Sequence, residues 1–189
     1  MEIPMTPSTP TVSRNSPTRE IIEQIIAIHH RALGVHLHKL DALFQQIETL
    51  GSDHALCRRA THLFDRLKDQ VCRCMVHEKC VVLPQIERWS ADGGEYPSSP
   101  PPHGLVEIAS GLLRWHARLF SQSCRLVRRV RDLEQECAES PLLSALQSAL
   151  DRFCDDLDQQ LFEEDCLLLP RITNWHADSN PAERQLCPR

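Results

Sequence analysis

The chain has 189 residues, enough for one domain with a sizeable core. Only six glycines and one tyrosine argue against a sheet-rich fold, and the Leu, Ala, Gln, Glu and Arg that dominate the middle of the chain favour helix. A formal net charge of -5 gives no basis for a nucleic-acid or anionic-membrane partner, and no apolar run reaches the ~18 residues of a membrane span.

Residues 1–17 are rich in Pro, Ser and Thr and lack the apolar stretch of a secretory signal, which predicts a disordered segment on a cytoplasmic protein. The nine cysteines are odd in number and come without that signal. They are expected to be reduced thiols, mostly acting as small buried hydrophobes.

A first helix is predicted from near Thr18 to Gly51, with a seam at Ile26, His30, Leu33, Leu37, Leu40, Phe44 and Ile47. The second begins at Ser52 or Asp53, either a good N-cap, and runs to about Trp89 through Cys57, Ala60, Phe64, Leu67, Val71, Cys74, Glu78 and Val81. The stretch SADGGEYPSSPPP that follows cannot be helical. The third helix spans about His103 to Cys137, with Leu105, Ala109, Leu112, His116, Leu119, Ser123, Leu126, Val130 and Leu133 on its seam. The fourth opens at Ser140-Pro141 and carries Leu146, Leu150, Phe153, Leu157, Gln160, Glu164 and Leu167, ending near Trp175 before a tail of residues 176–189. The basic run RLVRRVR at 125–131 is expected to form a solvated ion-pair face with Asp151, Asp155 and Asp156.

Residues 77–89, HEKCVVLPQIERW, and 163–175, EEDCLLLPRITNW, share Glu, Cys, Leu, Pro, Ile and Trp at one constant offset of 86. The same offset separates His30 from His116. This is a duplicated helical hairpin, so the predicted fold is all-α, an up-down-up-down four-helix bundle over residues 18–175. Residues of an antiparallel pair face each other when equidistant from the turn. The midpoint of His30 and Glu78 is 54 and that of His116 and Glu164 is 140, both at predicted turns, so all four polar side chains should meet at one height in the core. A buried carboxylate costs several kcal/mol unless something offsets it, and two facing carboxylates also repel. A histidine–glutamate hydrogen-bond network is the plain account. Convergence of four such residues favours a metal cluster, for which imidazole and carboxylate suit iron, manganese or zinc.

A histidine on each odd helix, with VHEKCVVLP and LFEEDCLLLP on the even ones, resembles the hemerythrin-like family over about residues 20–175, and within it the di-iron branch linked to iron-sulfur-centre repair and nitric oxide stress. The resemblance implies two non-haem irons, with His30 and His116 as ligands and Glu78 and Glu164 as bridges. It further implies oxygen or nitric oxide binding, or iron delivery to a receiving protein, more in the manner of a binding protein than an enzyme. Where the family places a histidine four residues before each glutamate, this chain has Cys74 and Gln160. Cys74 is a candidate replacement ligand as thiolate. Gln160 is expected to hydrogen-bond a carboxylate or a water, and His77 is a reserve ligand if Pro84 distorts the helix. The alternative is a degenerate bundle with one zinc or no metal, serving as a sensor or interaction module. His29, His36, His38, His62, His103 and His176 are expected to be solvated, and His54 lies far from the cluster height. The sequence does not set an oligomeric state.

Overall fold

The computed structural model describes residues 12–50, 55–91, 99–136 and 140–175. Among them there is no strand, and four long helices pack in a ring, each against the next and the first against the fourth. Helix α1 consists of Thr18–Gln24, a π-helical turn Ile25–His29, and His30–Leu50. Helix α2 consists of Ala55–His77, the π turn Glu78–Val82, and Leu83–Ala91. Helix α3 is continuous over His103–Glu136, and α4 consists of Pro141–Phe162, the π turn Glu163–Leu168, and Pro170–Thr173. The connections at 51–54 and 137–139, the middle of the proline-rich linker, His54, and residues 1–11 and 176–189 lie outside the described residues.

The helix ends follow local chemistry. Ser140 is extended, with φ -83° and ψ 111°, and Pro141 occupies the first turn of α4, where its missing N–H leaves nothing unsatisfied. Trp89 donates its indole N–H to the Ser99 carbonyl at 3.1 Å and so anchors the chain entering α3. The expected seams are the core. Every expected position of α3 is buried, as are those of α2 from Cys57 to Glu78 and of α4 from Leu146 to Leu167. Near the α1–α2 turn, Phe44 and Phe64 stack with centroids 4.4 Å apart. Each such fully buried large side chain contributes roughly 1.5–3 kcal/mol of transfer free energy.

The seams slip by one residue where helices widen. Val82 rather than Val81 is buried in α2, and in α1 Ile25 and His29 are buried while Ile26 is partly covered. Residues 12–17, expected to be part of a disordered segment, pack on the bundle. Val12 is in the core, and Arg171 of α4 donates to the carbonyls of Arg14 and Ser16 and to the Thr18 hydroxyl.

The thiols differ from expectation. Of the described cysteines only Cys57 and Cys74 are buried; Cys72, Cys80, Cys124 and Cys166 are exposed and Cys154 is intermediate, because they fall off the seams. Asp156 pairs with His36 of α1 at 2.8 Å and Asp151 accepts from Gln147, while in the basic run Arg129 pairs with Asp132 one turn on. No helix among the described residues is long and apolar enough to cross a membrane.

Candidate metal centre

Glu78 opens one widened turn and Glu164 is the second residue of another, and a proline, Pro84 or Pro170, follows two residues after each turn closes. Proline cannot donate to the carbonyl four residues back, and its ring crowds that carbonyl. The Leu83 N–H therefore reaches Glu78 O and the Leu169 N–H reaches Glu164 O at 2.8 Å, five residues back in both cases. Such π bulges are a recognised source of helix distortion and are common at functional sites. In α4 the bulge lets two consecutive residues, Glu163 and Glu164, face inward together.

The structure brings His30, Cys74, Glu78, His116 and Glu164 to one point. Glu78 is the hub. Its Oε1 accepts from the Cys74 thiol at 2.9 Å and lies 3.3 Å from His116 Nε2. Its Oε2 lies 2.7 Å from His30 Nε2 and 3.1 Å from Gln160 Nε2. Two sets of ligand atoms result, each within a 4.8 Å span: Cys74, Glu78 and His116 form one, and His30, Glu78 and Glu164 the other. Gln160 donates to both carboxylates, to Glu164 Oε1 at 2.7 Å as well as to Glu78, as its expected role requires. His77 does not join them; its ring packs on Trp115 with centroids 5.9 Å apart.

His116 spans the site. Its Nδ1 lies 2.6 Å from Asp165 Oδ1, and its Nε2 lies 3.3 Å from both Glu78 Oε1 and Glu164 Oε2. A carboxylate of this kind, holding the far nitrogen, is the usual support for a metal-ligating imidazole. Asp165 gave no signal in the sequence beyond its place next to Glu164, because helical periodicity turns it away from the seam.

The electrostatics describe a proton-filled site. Burial alone would raise the Glu78 pKa, but hydrogen bonds from His116, His30 and Cys74 outweigh it and hold the carboxyl below its usual range. Burial and the negative charge of Glu78 push Glu164 well above that range. For His116 burial opposes the charged form, yet hydrogen bonds to Asp165 and Glu78 and the field of Glu164 push it up to about 10. Burial and then the charge of Glu78 drive the Cys74 thiol far upward. Without a cation, Cys74 is thus a thiol rather than a thiolate.

Two buried oxygens of the site are left over. Glu164 Oε2 accepts no hydrogen bond although Glu164 is fully buried, and the Gln160 side-chain oxygen is likewise without a partner. Such orphan polar atoms cost about 1–3 kcal/mol each unless a ligand meets them. Nitrogen, oxygen and sulfur donors within one small span, with an orphan oxygen among them, fit a transition-metal ion.

A second polar cluster, missed in the sequence, lies beside the first. His29 is buried rather than solvated; its Nε2 lies 2.9 Å from Glu163 Oε2, and Gln24 and Gln159 each donate to Glu163 Oε1 at 2.9 Å. The reason is the π turn Ile25–His29, closed by the His30 N–H on the Ile25 carbonyl, which rotates His29 inward next to His30. No proline announces that turn.

Comparisons with models of known protein families, with characterised proteins and with solved structures return no match for this chain.

Proposed function

We propose that the bundle is a metal-binding protein that holds non-haem iron among His30, Cys74, Glu78, His116 and Glu164. The observation that carries this reading is the hub geometry of Glu78: its two oxygens serve two different sets of donors, as a carboxylate bridging two cations would. Imidazole, carboxylate and a thiol that becomes a ligand on losing its proton suit iron, and suit zinc as the alternative ion. The resemblance of the helix phrases to hemerythrin-like proteins adds the preference for iron, for two ions, and for a role in oxygen or nitric oxide binding or in iron supply for iron-sulfur cluster repair. Bound iron would provide an open, redox-active centre for a diatomic gas or a labile ion for a receiving protein. The residues of the chain would do the rest. His30 and His116 would hold the ions from opposite helices, Glu78 would serve both positions, Asp165 would orient His116, and the apolar layers around them would exclude water.

A second reading has its own support. Gln160 donates to both carboxylates and so closes the network without any ion, which suits a degenerate bundle with one zinc or none that acts as a sensor or interaction module. Metal analysis of freshly purified protein, kept anaerobic, separates the two. Two irons per chain, lost in Glu78→Ala and Glu164→Ala variants that stay helical, are expected; one zinc or no metal would select the second reading.

A further inference from the structure

The ligands of the proposed centre are almost wholly buried, with Glu78 and His116 at 1% exposure and Glu164 at 0%, so an ion needs a way in. A groove of about 390 Å³ between α3 and α4 supplies one. Its rim carries Phe120 and Phe162, half exposed at 50% and 53%, and its remaining walls include Asp158, Asp165 and Cys166, with His116 at its floor. We propose that this groove is the port through which a divalent cation reaches the centre, with Asp158 as the outer docking group and the Asp165–His116 pair as its gate.

This inference rests on the metal-binding reading and adds a route to it. Asp158 and Asp165 are seven residues apart on α4, and the widened turn that holds Asp165 leaves both on the side that faces α3. Both carboxylates line the same groove, and low-dielectric walls such as the two phenylalanines focus the field of the charges they flank. Within this groove the charged groups on the walls are both carboxylates, which favour a cation, while Arg128 and Arg131 line the adjoining groove on the other side of Asp158; a neutral gas would have no use for either carboxylate. The His116 ring is the partition between groove and centre. Its Nδ1 meets Asp165, whose side chain is 31% exposed, while its Nε2 points at Glu78 and Glu164. An ion handed from Asp158 to Asp165 is separated from the Glu164 Oε2 orphan oxygen by that one imidazole, and a turn of the ring opens the way.

The test is the rate of Co(II) uptake by the metal-free full chain, followed by stopped-flow absorption, in wild type, in Asp158→Asn and in Glu20→Gln. The last removes an equal charge from an exposed position on α1. The Asp158 variant should load several-fold more slowly, with a flatter dependence on salt, and reach the same final occupancy; the Glu20 variant should load like wild type. Equal rates in all three, equal slowing in both variants, or a lower final occupancy in the Asp158 variant would overturn the port. If wild type takes up no Co(II) even on long incubation, the metal-binding reading itself falls, and that result is distinct from a change in rate.

Discussion

Asp165 fixes which nitrogen of His116 faces the centre. A carboxylate can only accept, so the 2.6 Å contact fixes a ring proton on Nδ1, and Nε2 is the nitrogen that can ligate once it gives up its own proton. Removing it in Asp165→Ala should weaken metal binding about 10–100-fold, the usual effect of losing such a support, while Asp165→Asn keeps an acceptor and should lose less. Competition with a chromophoric chelator measures this, and an alanine variant that binds like wild type would show that packing alone orients the ring. Glu163 is a different kind of buried carboxylate, met by His29, Gln24 and Gln159 and by no proposed ligand. In Glu163→Ala the buried His29 and Gln24 groups lose their partner, at about 1–3 kcal/mol for each group left unsatisfied. The urea midpoint should fall accordingly, and an unchanged midpoint would mean that water replaces the carboxylate at no cost.

At the scale of the element, the π turns decide which residues can meet. One extra residue in a turn shifts the following register by about 100°, which is the difference between a seam position and a flank. In α2 and α4 the cause is written in the chain as Pro84 and Pro170, so Pro84→Ala or Pro170→Ala restores the donor that an ordinary turn needs. The widened turn should then compete with a regular one, and metal affinity should drop more than thermal stability does. If both variants bind metal as wild type does, packing rather than proline holds the turns open. The same physics explains what could be read beforehand. Four helices and nearly all of the seams follow from period 3.6, and the height of His30, Glu78, His116 and Glu164 follows from the constant offset and the two midpoints. Cys74 and Gln160 are found on the seam as expected, touching Glu78. What could not be read lies one residue off a seam. His29 and Glu163 reach the interior only because their helices widen, and Asp165 reaches His116 from the flank of α4.

For the whole molecule, the centre couples stability to pH through three groups, Glu78, His116 and Glu164. Glu78 has a folded pKa below its ordinary 4.5, so its contribution is complete above pH 4.5 and is lost as pH falls below that. His116 is raised from 6.5 to about 10, so its contribution is complete below pH 6.5 and is lost as pH rises through about 10. Glu164, raised above 4.5, stabilises most on the acid side and loses that contribution as pH rises. The metal-free bundle should therefore be most stable at mildly acidic pH, just above 4.5, where Glu78 is fully ionised and Glu164 and His116 keep their protons, and weaken toward alkaline pH. A bound cation reverses the trend, because it needs the protons on His116, Glu164 and Cys74 gone, and its affinity rises with pH. A ligand at about 100 times its dissociation constant adds about 2.7 kcal/mol to folding, and a tenfold tighter one adds about 1.4 kcal/mol more. Thermal melts with and without Fe(II), anaerobic, at about pH 6 and about pH 8 should show a small metal-induced rise in midpoint at the first and a larger one at the second. The bundle should stay helical throughout, since apolar layers from Phe44 and Phe64 near one turn to Ile86 and Ile172 at the far end fold without the ion. A metal-induced rise of equal size at both pH values would mean that binding displaces no proton, and the buried, proton-holding His116 would then not be a ligand.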